Sequence, residues 1–546
     1  MYPKGPIAFL IILLIPSLLS AQSETAQCIL AERIFTSDTS HPVAEAMVIE
    51  GSSIRYIGSA DSALTLYPNA RVSDYGKAFI YPGFIDAHCH FLGYAQGLNE
   101  ASLFGSNSIK EAIKATQKQA KKQAKMPIAL RPDSWIIGRG WDQNLWGGQF
   151  PTRADLDAAF PDVPVCLSRV DGHAVWVNSA AERLLNVDSD FQIDGGESFE
   201  GVYIDAAADY IKERIPAMNS QALQQAVKTA EQKAFAVGLT GLHEAGLEVE
   251  QTLWLQQLQE SGALKIRLNV MLSANEQTFS HLAQFGQWSS ERMNVHAVKF
   301  YLDGALGSRG ALLKEDYCDR LQHRGLQLMN IQELGSYAYF LRDNGIQVCV
   351  HAIGDSANAL VLNLFHSILQ PGHDARWRVE HAQIVSPSDW HYFAGRSIIP
   401  SVQPTHATSD APWAESRLCE DRLTGAYAYR HLLDTAGSLA LGTDFPVEDL
   451  NPLNTFYSAV FRMDRQGTLG NPFVVDQALT REEALLGMTH WAAFAGFDET
   501  RVGSLAAGMQ ADYVVLNCNL LEAEASKIKK AKVLKTVVAG ESVYQR

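Results

Sequence analysis

Short runs of apolar residues alternate with longer amphipathic stretches along most of this chain. From the second run onward the spacing is that of strand and helix units, which predicts parallel strands joined by crossover helices. There are eight runs, the number of strands in a β/α barrel. They cover residues 79–86, 237–243, 268–272, 297–303, 347–353, 377–383, 397–403 and 438–444. The pattern predicts an α/β fold, namely a (β/α)8 TIM barrel within residues 79–499.

The interval between the first and second runs is much longer than the others. Residues 87–236 separate them, and one strand-to-helix connection does not need that much chain. We expect an insertion after barrel strand 1, formed largely by residues 100–235. Because substrates bind at the carboxyl ends of barrel strands, this insertion is predicted to act as a lid over that face.

Both ends of the chain carry hairpin patterns. Residues 46–49 and 54–58 flank a Gly-Ser turn, and residues 511–516 and 533–539 repeat the alternation near the carboxyl end. We expect these ends to meet in one small β-sandwich domain made of residues 22–78 and 500–546.

The amino terminus resembles a secretory signal. Lys4 precedes an apolar run at residues 7–15, and small residues end at Ala21. Residues 1–21 are therefore predicted to be a signal peptide cleaved after Ala21, with export to the periplasm, and an uncleaved anchor is the alternative. Nine apolar residues are too few to cross a bilayer, so no stable membrane span is expected after cleavage. The residues before Cys28 do not match a lipidation signal.

The amino-acid composition argues against some classes of binding partner. Lys plus Arg number 45 and Asp plus Glu number 60, a net charge of −15 that argues against nucleic-acid binding. The most basic stretch, residues 110–125, is interpreted as a solvated helix face. Seven cysteines are scattered without a CxxC pair, so no disulfide pairing is assigned. A homo-oligomer is compatible with this composition, and a small molecule is the expected partner.

The first apolar run leads into the motif Pro82 to His90. Side chains two apart on an extended segment point the same way, so His88 and His90 are placed to hold one cation from a strand end. A His-x-His pair taken alone is about as often incidental as ligating. Its position at the end of the first barrel strand favours the ligand interpretation.

A lysine stands in the fourth run. Alternation puts Val298, Phe300 and Leu302 towards the helices, so Lys299 points into the barrel. An unpaired ammonium there would be unfavourable. Lys299 is either a buried salt-bridge residue, with Asp303 as a partner, or an amine that takes up carbon dioxide and becomes a carbamate able to bridge two cations.

Further candidate ligands stand at the ends of later runs. His351 and His381 lie near the ends of the fifth and sixth runs, where each alone is more often a satisfied core residue. Together they suit the imidazole ligands of a second cation. Asp444 ends the eighth run beside the small residue Gly442, and its alternative interpretation is a turn aspartate before Pro446.

The joint pattern resembles the amidohydrolase superfamily, specifically the amidohydrolase-3 group of YtcJ-like and N-substituted formamide deformylase-like proteins. The resemblance covers roughly residues 27–546. Its motifs are residues 82–90, 140–143, 171–173, 298–304, 351–355, 380–382 and 442–447. The export signal is less usual for such proteins, which puts in doubt any substrate inferred from cytosolic relatives.

The resemblance implies a binuclear metal site, with zinc as the expected ion. His88 and His90 would hold one ion, His351 and His381 the other, with carboxylated Lys299 bridging and Asp444 as ligand and base. It further implies hydrolysis of a small, non-peptide amide-like C–N bond by metal-activated water.

Substrate contacts are predicted from segments that should border the mouth of the barrel. Arg309 follows the fourth strand and would bind a carboxylate. Each candidate has an equally good structural interpretation. The candidates are Trp141, Asp142, His173, Arg309 and His406.

Two other functions stay open. A mononuclear deaminase of the same fold needs one cation and normally a glutamate soon after the strand-five histidine, but Gly354 and Asp355 stand there. Lys299 also argues against it, since one ion needs no bridge. A catalytically silent periplasmic binding protein is the other alternative, and the presence of Asp444 beside the other candidate ligands argues against it.

Overall fold

The computed structural model describes residues 26–125, 135–170, 172, 174–188, 190–194, 196–216 and 218–546. The predicted signal peptide and His173 lie outside the described residues. Within them, eight parallel strands form the barrel in the predicted chain order. These strands are Phe84–Cys89, Leu239–Leu247, Arg267–Ser273, Met293–Tyr301, Gln347–Ala352, Arg378–His381, Ile399–Val402 and Ala440–Leu441. The predicted TIM barrel is confirmed.

The barrel closes between its first and last strands. The amide of Asp444 donates to the carbonyl of His88 at 2.8 Å, and the amide of His90 donates to the carbonyl of Phe445 at 2.8 Å. Beside them, Thr443 donates from its amide and its hydroxyl to the carboxylate of Asp86. The closing contacts therefore involve three of the predicted metal ligands.

Helices surround the barrel and account for its amphipathic segments. Several begin at an asparagine whose side chain satisfies a free amide of the first turn: Asn275 accepts from Thr278 at 2.9 Å, and Asn330 accepts from Gln332 at 2.8 Å. The helices on the barrel are Phe91–Gly97, Ser220–Ala236, Val249–Glu260, Glu276–Phe285, Ile331–Asp343, Asp355–Ile368, Pro404–Asp410, Ala414–Arg422, Tyr429–Ala436, Pro452–Phe461, Arg481–Gly487 and His490–Ala495.

The first predicted run, residues 79–86, is two strands rather than one. Phe79–Pro82 pairs with strands from both chain ends, and the barrel strand begins at Phe84. Gly83 joins them where a side chain would not fit, because an added Cβ would lie 2.2 Å from the hydroxyl of Thr240. The residues on both sides of Gly83 are apolar, so the hydrophobic pattern does not show the boundary.

The two chain ends form one β-sandwich domain, as predicted. Its eight strands are Gln27–Phe35, Val43–Glu50, Ser53–Gly58, Arg71–Asp74, Phe79–Pro82, Tyr513–Leu516, Val533–Val538 and Glu541–Gln545. The expected hairpins are present, since Val43–Glu50 pairs with Ser53–Gly58 and Tyr513–Leu516 with Val533–Val538, both antiparallel. Helices Ala60–Leu66 and Ala525–Ile528 complete the domain.

The segment after the first barrel strand forms an insertion with its own sheet. Its six strands are Ala101–Ser102, Ile136–Trp141, Val165–Arg169, Ala174–Val177, Gly196–Phe199 and Val202–Asp205. Its helices are Ile109–Ala124, Arg153–Asp157, Ser179–Leu185 and Ala206–Lys212. Two apolar clusters, one centred on Trp141 and one on Tyr203, pack its interior. The predicted insertion is confirmed, and its action as a lid stays a prediction.

A disulfide joins Cys318 to Cys419, a pairing that the sequence did not predict. Among the described residues, no helix is both long and apolar enough to cross a membrane.

A buried ion pair joins the barrel to the β-sandwich domain and predicts a stability effect. Arg267 of the third barrel strand contacts Asp512 at 2.6 and 3.1 Å, and their side chains are 6% and 3% exposed. We expect Asp512→Asn to lower the free energy of unfolding by about 3 kcal/mol, because it leaves a buried guanidinium without its counter-ion. Denaturant unfolding measures this loss.

The exposed pair Arg55 and Glu50 in the same domain provides the control. Glu50→Gln should change the free energy of unfolding by less than about 1 kcal/mol. Equal effects of the two substitutions would contradict the importance assigned to the buried pair.

Candidate metal centre

The six predicted ligands meet at the carboxyl ends of the barrel strands. His88 and Lys299 lie within the first and fourth strands, His351 and His381 at the ends of the fifth and sixth, and Asp444 after the eighth. His90 directly follows the first strand. Parallel strands end on the same rim, so residues distant in sequence become neighbours there.

Packing of the fourth strand explains why Lys299 points inward. The ring of Phe300 lies 6.3 Å from that of Phe279 and 6.1 Å from that of Tyr337, which belong to the two helices flanking this strand. Since neighbouring side chains on a strand point to opposite faces, Lys299 faces the barrel interior. Its Nζ lies 3.2 Å from Nε2 of His88.

Donor atoms of the cluster lie close enough to share a cation. One atom each from His88, His381 and Asp444 lies within 4.8 Å of the others. Oδ1 of Asp444 is 3.3 Å from Nε2 of His90 and 3.7 Å from Nε2 of His88. The ring centroids of His351 and His381 are 4.5 Å apart.

Unsatisfied buried nitrogens show that the residues present fit a metal ion. Among the side chains that the structure describes, Nε2 of His351 and Nε2 of His406 are buried without a hydrogen-bond partner, and carboxylate oxygens of Asp303 and Asp444 lie 3.5 and 3.8 Å from them. Such atoms are rare unless an ion or another group completes them. Imidazole nitrogen and carboxylate oxygen are also the donors that zinc prefers.

Supporting side chains orient the imidazoles. Nδ1 of His88 lies 2.5 Å from Oε2 of Glu380, and Nδ1 of His381 lies 2.7 Å from Oε1 of Gln403. An acceptor at Nδ1 keeps the proton there and leaves the Nε2 lone pair free for a cation. Glu380 was predicted only as part of the motif at residues 380–382, although it precedes a candidate ligand at a strand end, and Gln403 was not predicted.

The electrostatic environment keeps these donors available. Burial lowers the pKa of His88 to about 4 and that of His351 to about 3, with Lys299 adding to both effects. Burial also lowers the pKa of Lys299, against the opposing charges of Glu380 and Asp444. Imidazoles that stay neutral are the form that binds metal ions.

Asp444 is the only carboxylate in the predicted ligand set. Burial raises its pKa, but the surrounding histidines outweigh that effect and bring the pKa well below the usual range. Its backbone φ is 59°, and that of His381 is 72°. Positive φ is uncommon for residues other than glycine, so the fold holds these two predicted ligands in backbone conformations of the kind found at functional sites.

The predicted substrate contacts differ in where they lie. His406 joins the cluster, with Nε2 3.8 Å from Oδ2 of Asp444. Trp141 is buried and donates to the carbonyl of Leu167, inside the insertion. Asp142 accepts from the amide of Asn144 at 3.0 Å. His173 lies outside the described residues.

Arg309 belongs to a group of links at the rim of the barrel, termed the latch, which consists of Arg309, Asp319, Arg417 and the Cys318–Cys419 disulfide. Arg309 contacts Asp319 at 3.0 and 2.7 Å, and Arg417 also donates to Asp319. The Cys318–Cys419 disulfide joins the same two segments, which follow the fourth and seventh strands. Because the fifth and sixth strands lie between these, the latch spans the rim on the side of His351 and His381. The substrate contacts stay predictions.

Comparison with known proteins indicates the same family as the motifs do. The profile of the Amidohydrolase family matches residues 72–544. The chain is 31% identical to Protein LONG AFTER FAR-RED 3 of Arabidopsis thaliana, over 94% of this chain and 90% of that protein. It is 30% identical to the putative amidohydrolase YtcJ of Bacillus subtilis (strain 168), over 92% and 96%. It is 24% identical to N-substituted formamide deformylase of Arthrobacter pascens, over 95% and 98%.

A solved structure shares the architecture. An uncharacterized metal-dependent hydrolase from Pyrococcus horikoshii OT3 superposes with a TM-score of 0.78 at 25% identity, covering 92% of this chain and 99% of that one. The match extends over the barrel and the β-sandwich domain.

Metal content tests the cluster directly. We expect His381→Ala to weaken zinc binding by more than about 100-fold, since loss of a ligand should exceed the effect of losing a supporting residue. Zinc per chain, measured by mass spectrometry after dialysis, should fall accordingly. His391→Ala, which changes an exposed histidine, should keep the zinc content of the unmodified protein. Equal zinc in both variants would show that His381 is not a ligand.

Proposed function

Because this chain belongs to the Amidohydrolase family and is a hydrolase, we propose that it hydrolyses a small, non-peptide amide-like C–N bond with metal-activated water. The observation that carries this proposal is the meeting of four imidazoles, one amine and one carboxylate at the mouth of the barrel. An amine and a carboxylate would be the products.

The ligand assignment divides the cluster between two zinc ions. His88 and His90 would hold one ion, and His351 and His381 the other. Lys299 would bridge them after its neutral amine adds to carbon dioxide, which forms a carbamate and releases one proton. Burial of Lys299, 1% exposed, supports this assignment because it disfavours the ammonium form.

The chemistry divides between the ions and the protein. Bound divalent cations supply an acidified water and polarise the substrate carbonyl. Asp444 accepts the proton that the water loses and returns it to the leaving nitrogen. Its carboxylate is suited to both steps because it lies beside His88 and His90 and is held by the backbone of the closing strands.

The class of substrate is proposed from the relatives and the rim. One relative is named for the deformylation of N-substituted formamides, which makes a small amide a reasonable substrate here. His406, beside Asp444, is the best placed of the four predicted contacts that the structure describes to touch it.

The deaminase alternative is weakened by the position of Asp355. This residue begins the helix Asp355–Ile368 and accepts from the amide of Lys314 at 2.9 Å. It is therefore engaged at a helix start and is not free to take the place of the missing glutamate acid.

Export to the periplasm is proposed from the predicted signal peptide and supported by the disulfide. Disulfides persist in oxidising compartments and are rare in the cytosol. The Cys318–Cys419 pair lies beside the mouth, where it also holds two rim segments together.

Activity of two variants tests the mechanism. Against a panel of N-substituted formamides, acylated amino acids, dipeptides and cyclic amides, Lys299→Ala and Asp444→Asn should each lower kcat by at least about 100-fold. Zinc per chain is measured on the same samples. Asp434→Asn, which changes an exposed carboxylate, should keep full activity.

The outcomes separate the candidate functions. Full activity in both variants would reject the mechanism. One zinc ion per chain in an active unmodified protein would favour the deaminase-like site. Binding of a panel compound without turnover would favour the silent binding protein.

Thiol counting tests the disulfide. Denatured protein purified without reductant should have five reactive thiols and, after reduction, all seven. Cys318→Ser should give six in both cases, because its partner is freed. Seven thiols before reduction would contradict the disulfide and remove its support for export.

A further inference from the structure

An ion pair lies behind the metal centre. Arg378 and Glu380 of the sixth strand are both 0% exposed, and Nε of Arg378 lies 2.7 Å from Oε1 of Glu380. A second guanidinium nitrogen lies 3.0 Å from Oε2. The two side chains point into the barrel beneath the ligands.

Glu380 connects this pair to His88. Its Oε2 lies 2.5 Å from Nδ1 of His88, whose Nε2 faces Lys299 and Asp444. Because an ionised carboxylate only accepts hydrogen bonds, the proton of His88 resides on Nδ1. The lone pair of Nε2 is then directed at the centre of the cluster.

The two terminal nitrogens of Arg378 contact three further groups. Arg378 donates to the carbonyl of Ala87 at 2.6 Å and to the hydroxyl of Ser401 at 2.8 Å, and it contacts Nδ1 of His243 at 2.8 Å. These partners belong to three other barrel strands. The guanidinium, and with it the carboxylate of Glu380, has a fixed position.

The other two imidazoles have different support. Nδ1 of His381 faces the neutral side-chain amide of Gln403, and Nε2 of His351 lies 3.5 Å from Oδ1 of Asp303 without forming a hydrogen bond. Among His88, His351 and His381, His88 alone is hydrogen-bonded to a carboxylate. A carboxylate behind a ligating imidazole increases the electron density that the imidazole offers to a cation.

Stability alone does not account for this pair. Burying two charges requires removing both from water, and apolar side chains of similar size often give equal or greater stability. We propose that Glu380, held by Arg378, is a positioning residue of the metal centre that fixes His88 and strengthens its bond to a cation. This inference rests on the proposed metal-dependent function.

The direct test is zinc affinity in Glu380→Gln, which keeps the side-chain shape and removes the charge. Competition with a chromophoric chelator should give a zinc affinity about 10- to 100-fold weaker than that of the unmodified protein. Failure of the unmodified protein to bind zinc would reject the proposed function instead, so the two failures are distinguishable.

A double variant separates positioning from charge balance. Arg378→Gln with Glu380→Gln removes both charges, so no buried guanidinium is left unpaired, and it decides the question if the single variant does not fold. We expect its zinc affinity to stay as weak as that of Glu380→Gln. Affinity equal to that of the unmodified protein, in either variant, would overturn the proposal.

The matched control is Asp512→Asn, which breaks the other buried ion pair, Arg267 with Asp512, away from the ligands. It should lower the unfolding midpoint of the metal-free protein and keep the zinc affinity. If this variant loses as much zinc affinity as Glu380→Gln, the effect reflects general destabilisation and the proposal is overturned.

Discussion

Closure of the barrel between its first and last strands is the constraint on which the site depends. The hydrogen bonds between Asp444 and His88 and between His90 and Phe445 join segments from opposite ends of the barrel sequence. Asp86 and Thr443, which meet beside them, are 357 residues apart. Without this closure, the carboxylate and the two imidazoles would have no common position. Backbone hydrogen bonds between these strands therefore determine the position of the cluster, and side-chain packing acts after them.

Many ionisable groups lie close together at this rim, where like charges would repel each other. The barrel avoids this by burying the imidazoles and by pairing the charges beneath them. Burial keeps His88 and His351 neutral, so the imidazoles do not repel each other or a cation. Below them, the negative charge of Glu380 is balanced by Arg378. The apolar residues face outward to the helices, as Phe300 does, and the polar network occupies the interior where strands supply many hydrogen-bond partners.

Alternation and strand position were sufficient to predict the barrel, the terminal β-sandwich domain and the insertion, because each depends on local hydrophobic patterns. The same reasoning named the six residues that the structure brings together. It did not separate Phe79–Pro82 from Phe84–Cys89, since the residues on both sides of Gly83 are apolar and the boundary is marked by the close approach of Thr240 to Gly83. Gln403 and the Cys318–Cys419 pair were missed because their partners lie on other strands and loops, and sequence spacing does not encode such neighbours.

Residues on the barrel strands and residues on the connections at the rim differ in how well they tolerate substitution. The predicted ligands lie on or beside strands whose positions are fixed by strand pairing, whereas Arg309, Cys318 and Cys419 lie on connections that follow the fourth and seventh strands. Such connections accept substitutions without moving a strand end. The latch of disulfide and ion pairs nevertheless fixes two of them relative to each other, across the side of the mouth that holds His351 and His381. Covalent and ionic links within the rim therefore hold these two connections together, independently of the hydrogen bonds that position the predicted ligands.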